Sequence, residues 1–231
     1  EAGAVSPVAP AALSKGSLIE IRDLFFATPA RLKFMKTVRA ETMAAVDVIN
    51  QLSVARPDIS FTLMVDDRTR LHYDAAQGEL MSARLYRIAE VMGKDFADNA
   101  IALQAERDGV GLTGYSSLPT FNRGNARLQF LFVNGRPVRD KLIFGAVRAT
   151  YHDLLARDRY PLAVLFIDLS PSAVDVNVHP AKAEVRFRDP GIVRGLVVGA
   201  LRHALDSAGH RASTAVAKAA LGAVHREPID E

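Results

Sequence analysis

The sequence predicts an α+β fold in which helices cover one face of small sheets. Short runs alternate apolar and polar residues, most clearly at 59–65 and 174–178, which is the period of a half-buried strand. Longer runs repeat apolar residues at helical spacing, as in 141–155. Asp-Gly at 108–109 and Asn-Gly at 134–135 are tight-turn pairs that favour antiparallel hairpins. Together these patterns predict two adjoining α+β domains.

Composition sets broad limits on the class of protein. Of the 231 residues, 49% are hydrophobic and 24% are charged, which is typical of one or two globular domains. A formal net charge of +3 and a pI near 9.3 permit a nucleic-acid partner without requiring one. The absence of cysteine excludes disulfides and thiolate metal sites and suits a reducing cytoplasm. No apolar run has the length of a membrane span and no signal peptide is visible, so no membrane partner is expected.

The first predicted domain covers residues 1–77. After a lead-in rich in Ala, Pro and Ser, Ile19 and Ile21 alternate with charged residues in the manner of a strand. Thr28 is a plausible N-cap, because Pro29 suits the first turn of a helix. The predicted elements are a strand at 18–25, a short helix at 30–36, a longer helix at 40–54, a strand at 59–65, a turn at 66–67 and a return strand at 71–73.

The second predicted domain covers residues 78–206, and a linker or frayed tail is expected at 207–231, where the apolar pattern fades. Gly93 is expected to end the first helix of this domain. Asp140 is a good N-cap for a later helix, and Asp189 precedes the last one. The predicted elements are a helix at 81–92, strands at 100–106, 110–116 and 128–133, a helix at 141–155, strands at 162–168 and 174–188, and a helix at 192–205.

The stretch 174–188, VDVNVHPAKAEVRFR, contains the most distinctive local pattern. Pro180 stops the alternation because it has no N–H to donate, and the pattern resumes with Val185 and Phe187 inward. Between the two runs, His-Pro-Ala-Lys at 179–182 predicts a rigid corner that presents Lys182. A lysine on a fixed loop is a common phosphate ligand, although a loop lysine alone is more often simply solvated.

Other catalytic motifs are missing from the sequence. It contains no GxGxxG, GxxxxGK[ST], HExxH or GxSxG pattern, and its six histidines lack metal-ligand spacing. The paired carboxylates at 66–67 are better explained by a turn than by acid–base chemistry. From the residues alone, the chemistry is limited to one loop lysine and several basic clusters.

Three stretches in series resemble the MutL mismatch-repair family. GSLIEIRDLFFATPARLKF at 16–34 looks like the family's fourth ATP-site motif, and FVNGRPVRDKLIFGAVRATY at 132–151 resembles its strand, Asn-Gly turn and helix. VDVNVHPAKAEVRF at 174–187 resembles its most recognisable signature. The order and spacing of the three stretches also match, and the likeness runs from about 16 to 205.

The resemblance implies a fold and a nucleotide site. MutL proteins are GHKL-type ATPases, related in fold to type II topoisomerases and Hsp90 chaperones. The resemblance implies that 1–77 is the C-terminal portion of the ATPase domain, and that 78–206 is a second α/β domain with a ribosomal-protein-like βαβ fold. Lys182 would then be the catalytic and cofactor-binding lysine that reaches the γ-phosphate of ATP. Ser17 replaces the threonine of the family's Gly-Thr pair and would lie near the nucleotide.

The resemblance also implies DNA binding along a basic groove. Lys33, Lys36 and Lys141 match positions of the family's DNA-contacting residues. At a further basic position this chain has Gly191, and Arg188 is the residue that could substitute for it. Neutralising backbone phosphates in this way gives salt-dependent, sequence-blind binding.

Further expectations follow from the family. ATP and Mg²⁺ would be the cofactors of the intact protein. Nucleotide binding and hydrolysis would drive homodimerisation, DNA clamping and signalling between mismatch-recognition and strand-processing partners. The protein would act in the cytoplasm, at the nucleoid. The general-base glutamate, the Mg²⁺-binding asparagine and the lid belong to family sequence that precedes this chain. We therefore expect weak ATPase activity from a full-length protein, and neither tight ATP binding nor hydrolysis by this part alone.

Three alternatives remain open at this stage. The chain could belong to another GHKL ATPase, such as a type II topoisomerase subunit, although VNVHPAK differs from the sequence expected there. It could be a non-enzymatic basic module that binds nucleic acid without nucleotide coupling. It could also be an interaction domain whose basic residues are only solvated, which the absence of salt-sensitive DNA binding would favour.

Overall fold

A computed structural model describes residues 7–8, 10, 12–13, 15–176 and 184–223, with side chains described up to Gly209. The chain divides into two compact units, residues 1–46 and 47–231. This division differs from the expected domain boundary at 75–78, and that boundary stays a prediction.

The first unit contains no strand among its described residues, so the prediction of a strand at 18–25 is wrong. A strand needs a neighbour for its backbone hydrogen bonds, and no described strand pairs with this segment. The segment instead ends in tight turns, in which the Phe26 N–H donates to the Asp23 carbonyl and the Thr28 N–H to the Phe25 carbonyl, both at 2.9 Å.

The predicted short helix is present as the 3₁₀ helix Pro29–Phe34. Proline occupies its first turn, as expected, but the Thr28 side chain makes no capping hydrogen bond. Helix α1 follows at Val38–Ala55 and confirms the predicted helix at 40–54. Residues 47–55 of α1 belong to the second unit, where Ser53 and Val54 are fully buried and Val54 packs in a core.

After the end of α1, the second unit contains a hairpin and a five-stranded mixed sheet flanked by helices. Its elements are β1 Phe61–Val65, β2 Arg68–Tyr73, α2 Leu80–Met92, α3 Lys94–Asp98, β3 Ala100–Arg107, β4 Val110–Ser117, β5 Asn122–Arg123, β6 Gln129–Val133, β7 Arg136–Val138, α4 Lys141–Thr150, β8 Tyr160–Pro161, β9 Ala163–Asp168, the 3₁₀ turn Pro171–Ala173, β10 Val174–Asp175, β11 Arg186–Phe187 and α5 Pro190–Ala223.

The strands of the mixed sheet lie in the order β3-β4-β9-β6-β7. Strand β6 runs parallel to β9, while the other neighbours are antiparallel. The parallel pair is joined through helix α4, which confirms an α+β fold with a βαβ crossover.

Local turn chemistry is confirmed at each predicted hairpin. Asp108 and Gly109 have φ of 51° and 74°, and Asn134 and Gly135 have φ of 48° and 76°. The sheet also requires glycine at 114, because an added Cβ there would lie 2.0 Å from the Val164 carbonyl oxygen of β9. These positions fix which strands pair and how closely they approach.

The sheet has a hydrophobic core on each face. On one face α4 and α5 supply Val147 and Val197, which pack against β-strand residues such as Leu165. On the other face the end of α1, together with α2 and α3, packs against β-strand residues such as Phe132. Burial on both faces explains why β9 and β6 read as nearly unbroken apolar runs.

A buried arginine fastens the β1–β2 hairpin to α2. Arg87 is fully buried, and its guanidinium donates to the backbone carbonyls of Ser53 (3.0 Å), Pro57 and Ile59 (each 3.2 Å) and Asp74. Its Nε also bonds the Glu90 carboxylate at 3.1 Å. One side chain therefore satisfies backbone carbonyls at the end of α1 and on both sides of the hairpin, although the Pro57 carbonyl also accepts from the Ala76 N–H at 2.8 Å.

Two predicted helix ends need correction. Helix α4 begins at the predicted cap, since the Asp140 carboxylate accepts from the Ile143 N–H at 2.9 Å, but it stops at Thr150 rather than 155. The Tyr151 hydroxyl bonds to the Ser117 carbonyl in the core, and the chain turns at this point. Leu154 is therefore exposed rather than inward.

Helix α5 continues to Ala223, so 207–223 is helical and not an irregular tail. Its alanine-rich sequence favours helix although its apolar periodicity fades.

None of the helices in the described part of the chain is long and apolar enough to cross a membrane.

Candidate nucleic-acid interface

The predicted ATP-sensing corner lies outside the described residues, because 177–183 includes Lys182. What the structure gives is its two flanks. Val174 pairs with Phe187 and Asp175 with Arg186 in the antiparallel β10–β11 pair, which brings the two ends of the stretch side by side. Val185 and Phe187 are buried, as the alternation predicts. The role of Lys182 stays a prediction.

The remaining predicted site residues fall in both units. In the first unit Ser17 is exposed beside Gly16, whose φ is 90°, and Lys33 and Lys36 are exposed as well. In the second unit Arg188 is exposed after β11, and its backbone N–H donates to the Ala173 carbonyl at 2.8 Å. Since these residues are divided between the two units, one continuous groove through all of them stays a prediction.

Lys141, the remaining predicted DNA contact, lies at a cleft inside the second unit. This basic cleft has a volume of about 530 Å³ and opens at the β7 edge of the sheet. Four cationic side chains line it and none of the described lining residues is acidic. The cations are Arg127, Arg139, Lys141 and Arg148.

The local sequence explains why these cations converge. The Asn-Gly turn at 134–135 returns the chain as β7, and the Asp140 cap starts α4 directly afterwards, so Arg139 and Lys141 flank the start of the helix. Arg148 follows Lys141 by two helical turns and therefore shares its side of α4. Arg127 enters from the loop that leads into β6.

Aromatic side chains form much of the cleft wall. Phe130 on β6 and Phe144 on α4 are half-buried, and each packs against a different core of the unit. Phe132, two residues after Phe130 on β6, is fully buried. Its ring stacks on the Phe166 ring, with ring centroids 4.8 Å apart and an interplanar angle of 13°. The wall of the cleft is therefore held by packed cores rather than by loops.

Arg148 is held in place by neighbours. Its guanidinium donates to the Tyr160 hydroxyl and to the Arg157 carbonyl, both at 3.2 Å. It also lies over the Tyr160 ring, 5.2 Å from the centroid, at cation–π distance. A guanidinium positioned in this way loses little conformational freedom when it meets an anion.

A smaller depression of about 210 Å³ shares Arg148 with the cleft and adds further positive charge from Arg157 and Arg159. Tyr151 also lines it, but burial raises the pKa of Tyr151 to about 12, so its hydroxyl stays protonated at neutral pH. That hydroxyl donates to the Ser117 carbonyl at 2.6 Å. Tyr151 is therefore a core residue at the base of a cationic surface and not an acid–base group.

Sequence reasoning missed most of the cleft. Arg139, Arg148, Phe130 and Phe144 were not singled out as site residues. The seven-residue spacing of Lys141 and Arg148 on one helix was a usable signal. The two phenylalanines gave no such signal, because a strand residue and a helix residue meet only through the tertiary fold.

Comparison with known proteins now adds to this geometry. A family model described as "DNA mismatch repair protein, C-terminal domain" matches residues 88–206, which contain nearly all of the cleft. The DNA mismatch repair protein MutL of Rhodospirillum rubrum is 58% identical over 224 residues, covering 97% of this chain and 36% of that protein. The chain thus spans about a third of the length of the curated relatives it matches.

Solved structures agree on the fold. The crystal structure of the N-terminal domain of a DNA repair protein covers 80% of this chain and 59% of its own, with a TM-score of 0.63 at 21% identity. The ATPase domain of the mismatch repair endonuclease MutL from Aquifex aeolicus covers 76% of this chain and 59% of its own, with a TM-score of 0.51 at 26% identity.

The mixed sheet, the matched segment and the similarity to curated relatives and solved structures together define a DNA mismatch repair protein with a GHKL-type ATPase fold. The chain belongs to the MutL family of these proteins.

Proposed function

We propose that this chain binds DNA through the basic cleft and couples that binding to an ATP cycle in a MutL-type protein. The proposal of DNA binding rests on one observation. Four cations converge in the cleft, none of the described lining residues is acidic, and all four cations lie inside the segment matched by the family model. Lys33, Lys36 and Arg188 would extend the contact to other exposed parts of the chain.

The cleft chemistry suits a phosphate backbone. Arg127, Arg139 and Arg148 can each form two parallel hydrogen bonds to a phosphate, and Lys141 adds a compact point charge. Each neutralised phosphate releases condensed counterions, which gives affinity that falls steeply with salt and depends little on sequence. Such binding suits a protein that must act wherever a mismatch occurs.

The nucleotide part of the proposal rests on the VNVHPAK stretch of the sequence. Lys182 would contact the γ-phosphate and stabilise the charge that develops during its transfer, and the Ser17 hydroxyl would lie near the nucleotide. Among the described residues no group of three His, Asp or Glu side chains could hold a metal ion, so the proposal names no Mg²⁺ ligand among them. ATP would drive homodimerisation of the full-length protein, and the dimer would clamp DNA and signal to recognition and strand-processing proteins in the cytoplasm.

The DNA proposal is tested by fluorescence anisotropy of a labelled duplex across a salt series. We expect Lys141→Ala to weaken binding and to reduce the slope of log affinity against log salt by about 1. Lys94→Ala is the matched control, because Lys94 is exposed at the start of α3 and does not line the cleft. Equal affinities and slopes for Lys141→Ala and wild type would remove the cleft from DNA binding.

The nucleotide proposal is tested by steady-state ATP hydrolysis of the full-length protein. We expect a large loss of turnover in a folded Lys182→Ala variant, because removing a cation from a transferring phosphate removes transition-state stabilisation. Arg186→Ala, at an exposed arginine of β11 four residues further on, controls for a general loss of charge in this region. Unchanged turnover in Lys182→Ala would mean that Lys182 does not act on ATP.

A further inference from the structure

We propose that the basic cleft takes one unpaired nucleotide, with its phosphate at the cationic rim and its base against Phe144. This inference rests on the proposed function, since it requires the same surface to bind DNA. It goes further in assigning a base-binding role to a site whose cations alone would hold only backbone phosphates.

The size of the cleft favours a single flat ligand. A volume of about 530 Å³ lies within the range of small-molecule pockets, roughly 300–1,000 Å³. A paired duplex keeps its bases stacked inside, so only its phosphates would reach this surface. An extrahelical or single-stranded nucleotide can place its base in such a pocket, as enzymes that act on flipped bases do.

The walls supply what a base needs. Phe144 is held by the core beneath α4, so its ring is fixed where it meets the cleft beside Lys141 and Arg148 of the same helix. Aromatic faces stack on any base without regard to sequence. The amide of Gln129 also lines the cleft, and its nitrogen donates to the Pro161 carbonyl at 2.9 Å, which fixes a side chain able to meet a base edge.

The rim supplies what a phosphate needs. Arg148 is already positioned by Tyr160 and by the Arg157 carbonyl, so its guanidinium can meet an anion without a large loss of freedom. An acidic peptide with an aromatic side chain could also satisfy a cationic rim. The combination of a fixed aromatic ring, a fixed amide and a surface proposed to hold DNA favours the nucleotide over the peptide.

The test uses the full-length protein and three DNA duplexes of equal length. One has a single extrahelical 2-aminopurine, one has an abasic residue at the same place, and one is fully paired. We expect the extrahelical base to tighten binding about 5- to 100-fold over the abasic duplex, the range that base stacking on one aromatic residue gives. Binding should also change the 2-aminopurine fluorescence.

Phe144→Leu is the decisive variant, because it keeps an apolar side chain of similar size and removes the ring. We expect it to abolish the advantage of the extrahelical base over the abasic duplex. Phe121→Leu is the matched control, since Phe121 is a half-buried phenylalanine of the same unit that does not line the cleft. Displacement of the bulged duplex by a free deoxynucleoside monophosphate would support the nucleotide site and show that the free nucleotide suffices.

The outcomes separate this inference from the proposed function. Equal binding of the extrahelical and abasic duplexes, with salt dependence still sensitive to Lys141→Ala, would overturn the base site and leave DNA binding intact. Loss of salt-sensitive binding to every duplex would overturn the proposed function itself. Displacement by an acidic peptide without any effect of the base would assign the cleft to a protein partner and overturn the nucleotide.

Discussion

Two phenylalanines of this chain show how differently its two units use apolar residues. Phe34, in the first unit, is 80% exposed, whereas Phe132, in the second, is fully buried and stacked on Phe166. Ile19 is 83% exposed although it sits in an alternating run as regular as those of the second unit. An apolar period therefore predicts which face of a segment can be buried, but burial itself requires a second layer.

The difference has energetic consequences. In the second unit, burial supplies roughly 25 cal/mol per Å² of apolar surface and makes unpaired polar groups costly. In the described part of the first unit neither effect is large, because its apolar side chains remain in water. Substitutions at buried positions of the second unit should therefore be expensive, whereas those at the exposed apolar positions of the first should be nearly neutral.

The largest effect is expected for Arg87→Met. The substitution leaves the carbonyls of Ser53, Ile59 and Asp74 without the Arg87 donor, and it strands the Glu90 carboxylate, whereas the Pro57 carbonyl keeps its bond from the Ala76 N–H. Removing one partner of such a buried cluster costs about 3–5 kcal/mol. Urea unfolding followed by far-UV circular dichroism measures the loss, and the method suits a chain without tryptophan.

Arg70→Met is the control for Arg87→Met, because Arg70 is an exposed arginine on the adjoining hairpin. We expect it to change the free energy of unfolding by less than about 0.5 kcal/mol. Similar losses for the two variants would show that Arg87 contributes only as a surface charge, which would contradict its role in fastening the hairpin to α2.

A smaller loss is expected for Tyr151→Phe. The hydroxyl donates to the Ser117 carbonyl at 2.6 Å and lies 2.8 Å from the Ser116 hydroxyl, both in the core. Ser116 keeps its contact with the Leu162 carbonyl at 3.3 Å, but the Ser117 carbonyl loses the Tyr151 donor, which costs about 1–3 kcal/mol in the free energy of unfolding. Tyr86→Phe, at an exposed tyrosine of α2, is the control and should be neutral. A neutral Tyr151→Phe would mean that water replaces the hydroxyl.

The same tyrosine predicts a pH dependence. Burial raises its pKa from 10.0 to about 12, so the folded state keeps a proton that the unfolded state releases above pH 10. Its contribution is complete below pH 10 and is lost as the pH rises towards 12. We expect unfolding free energies measured between these values to fall more steeply in wild type than in Tyr151→Phe. Parallel pH profiles would contradict a buried, protonated Tyr151.

The features predictable from sequence are those with local causes. The Asn-Gly turn at 134–135 and the Asp140 cap depend on neighbouring residues alone, and both are confirmed. The strand at 18–25 was wrong because pairing depends on a distant partner. The end of α4 was missed because the Tyr151 hydroxyl bonds to β4, far away in sequence. Lys141 could be found from a family motif, but Phe130 and Phe144 become a site only when β6 and α4 meet.

A modest effect is expected for Asp140→Ala. The carboxylate caps α4 through the Ile143 N–H at 2.9 Å, and losing such a cap costs about 0.5–2 kcal/mol. Asp140→Asn should retain most of the stability, since asparagine caps about as well as aspartate. Both are measured by urea unfolding. If Asp140→Asn destabilises as much as Asp140→Ala, charge at the helix start matters more than the hydrogen bond.

The smallest effect is expected for Ile21→Thr, which tests the comparison between the units directly. Ile21 is 77% exposed, so exchanging a methyl-bearing branch for a hydroxyl should change the free energy of unfolding by less than about 0.5 kcal/mol. Ile167→Thr makes the same exchange in β9, where Ile167 is 1% exposed, and should cost about 2–4 kcal/mol. Equal losses would show that 18–25 is packed under a second layer after all. Because the two exchanges are chemically identical, any difference between them measures burial rather than residue type, and the contrast between the units would stand or fall on that difference.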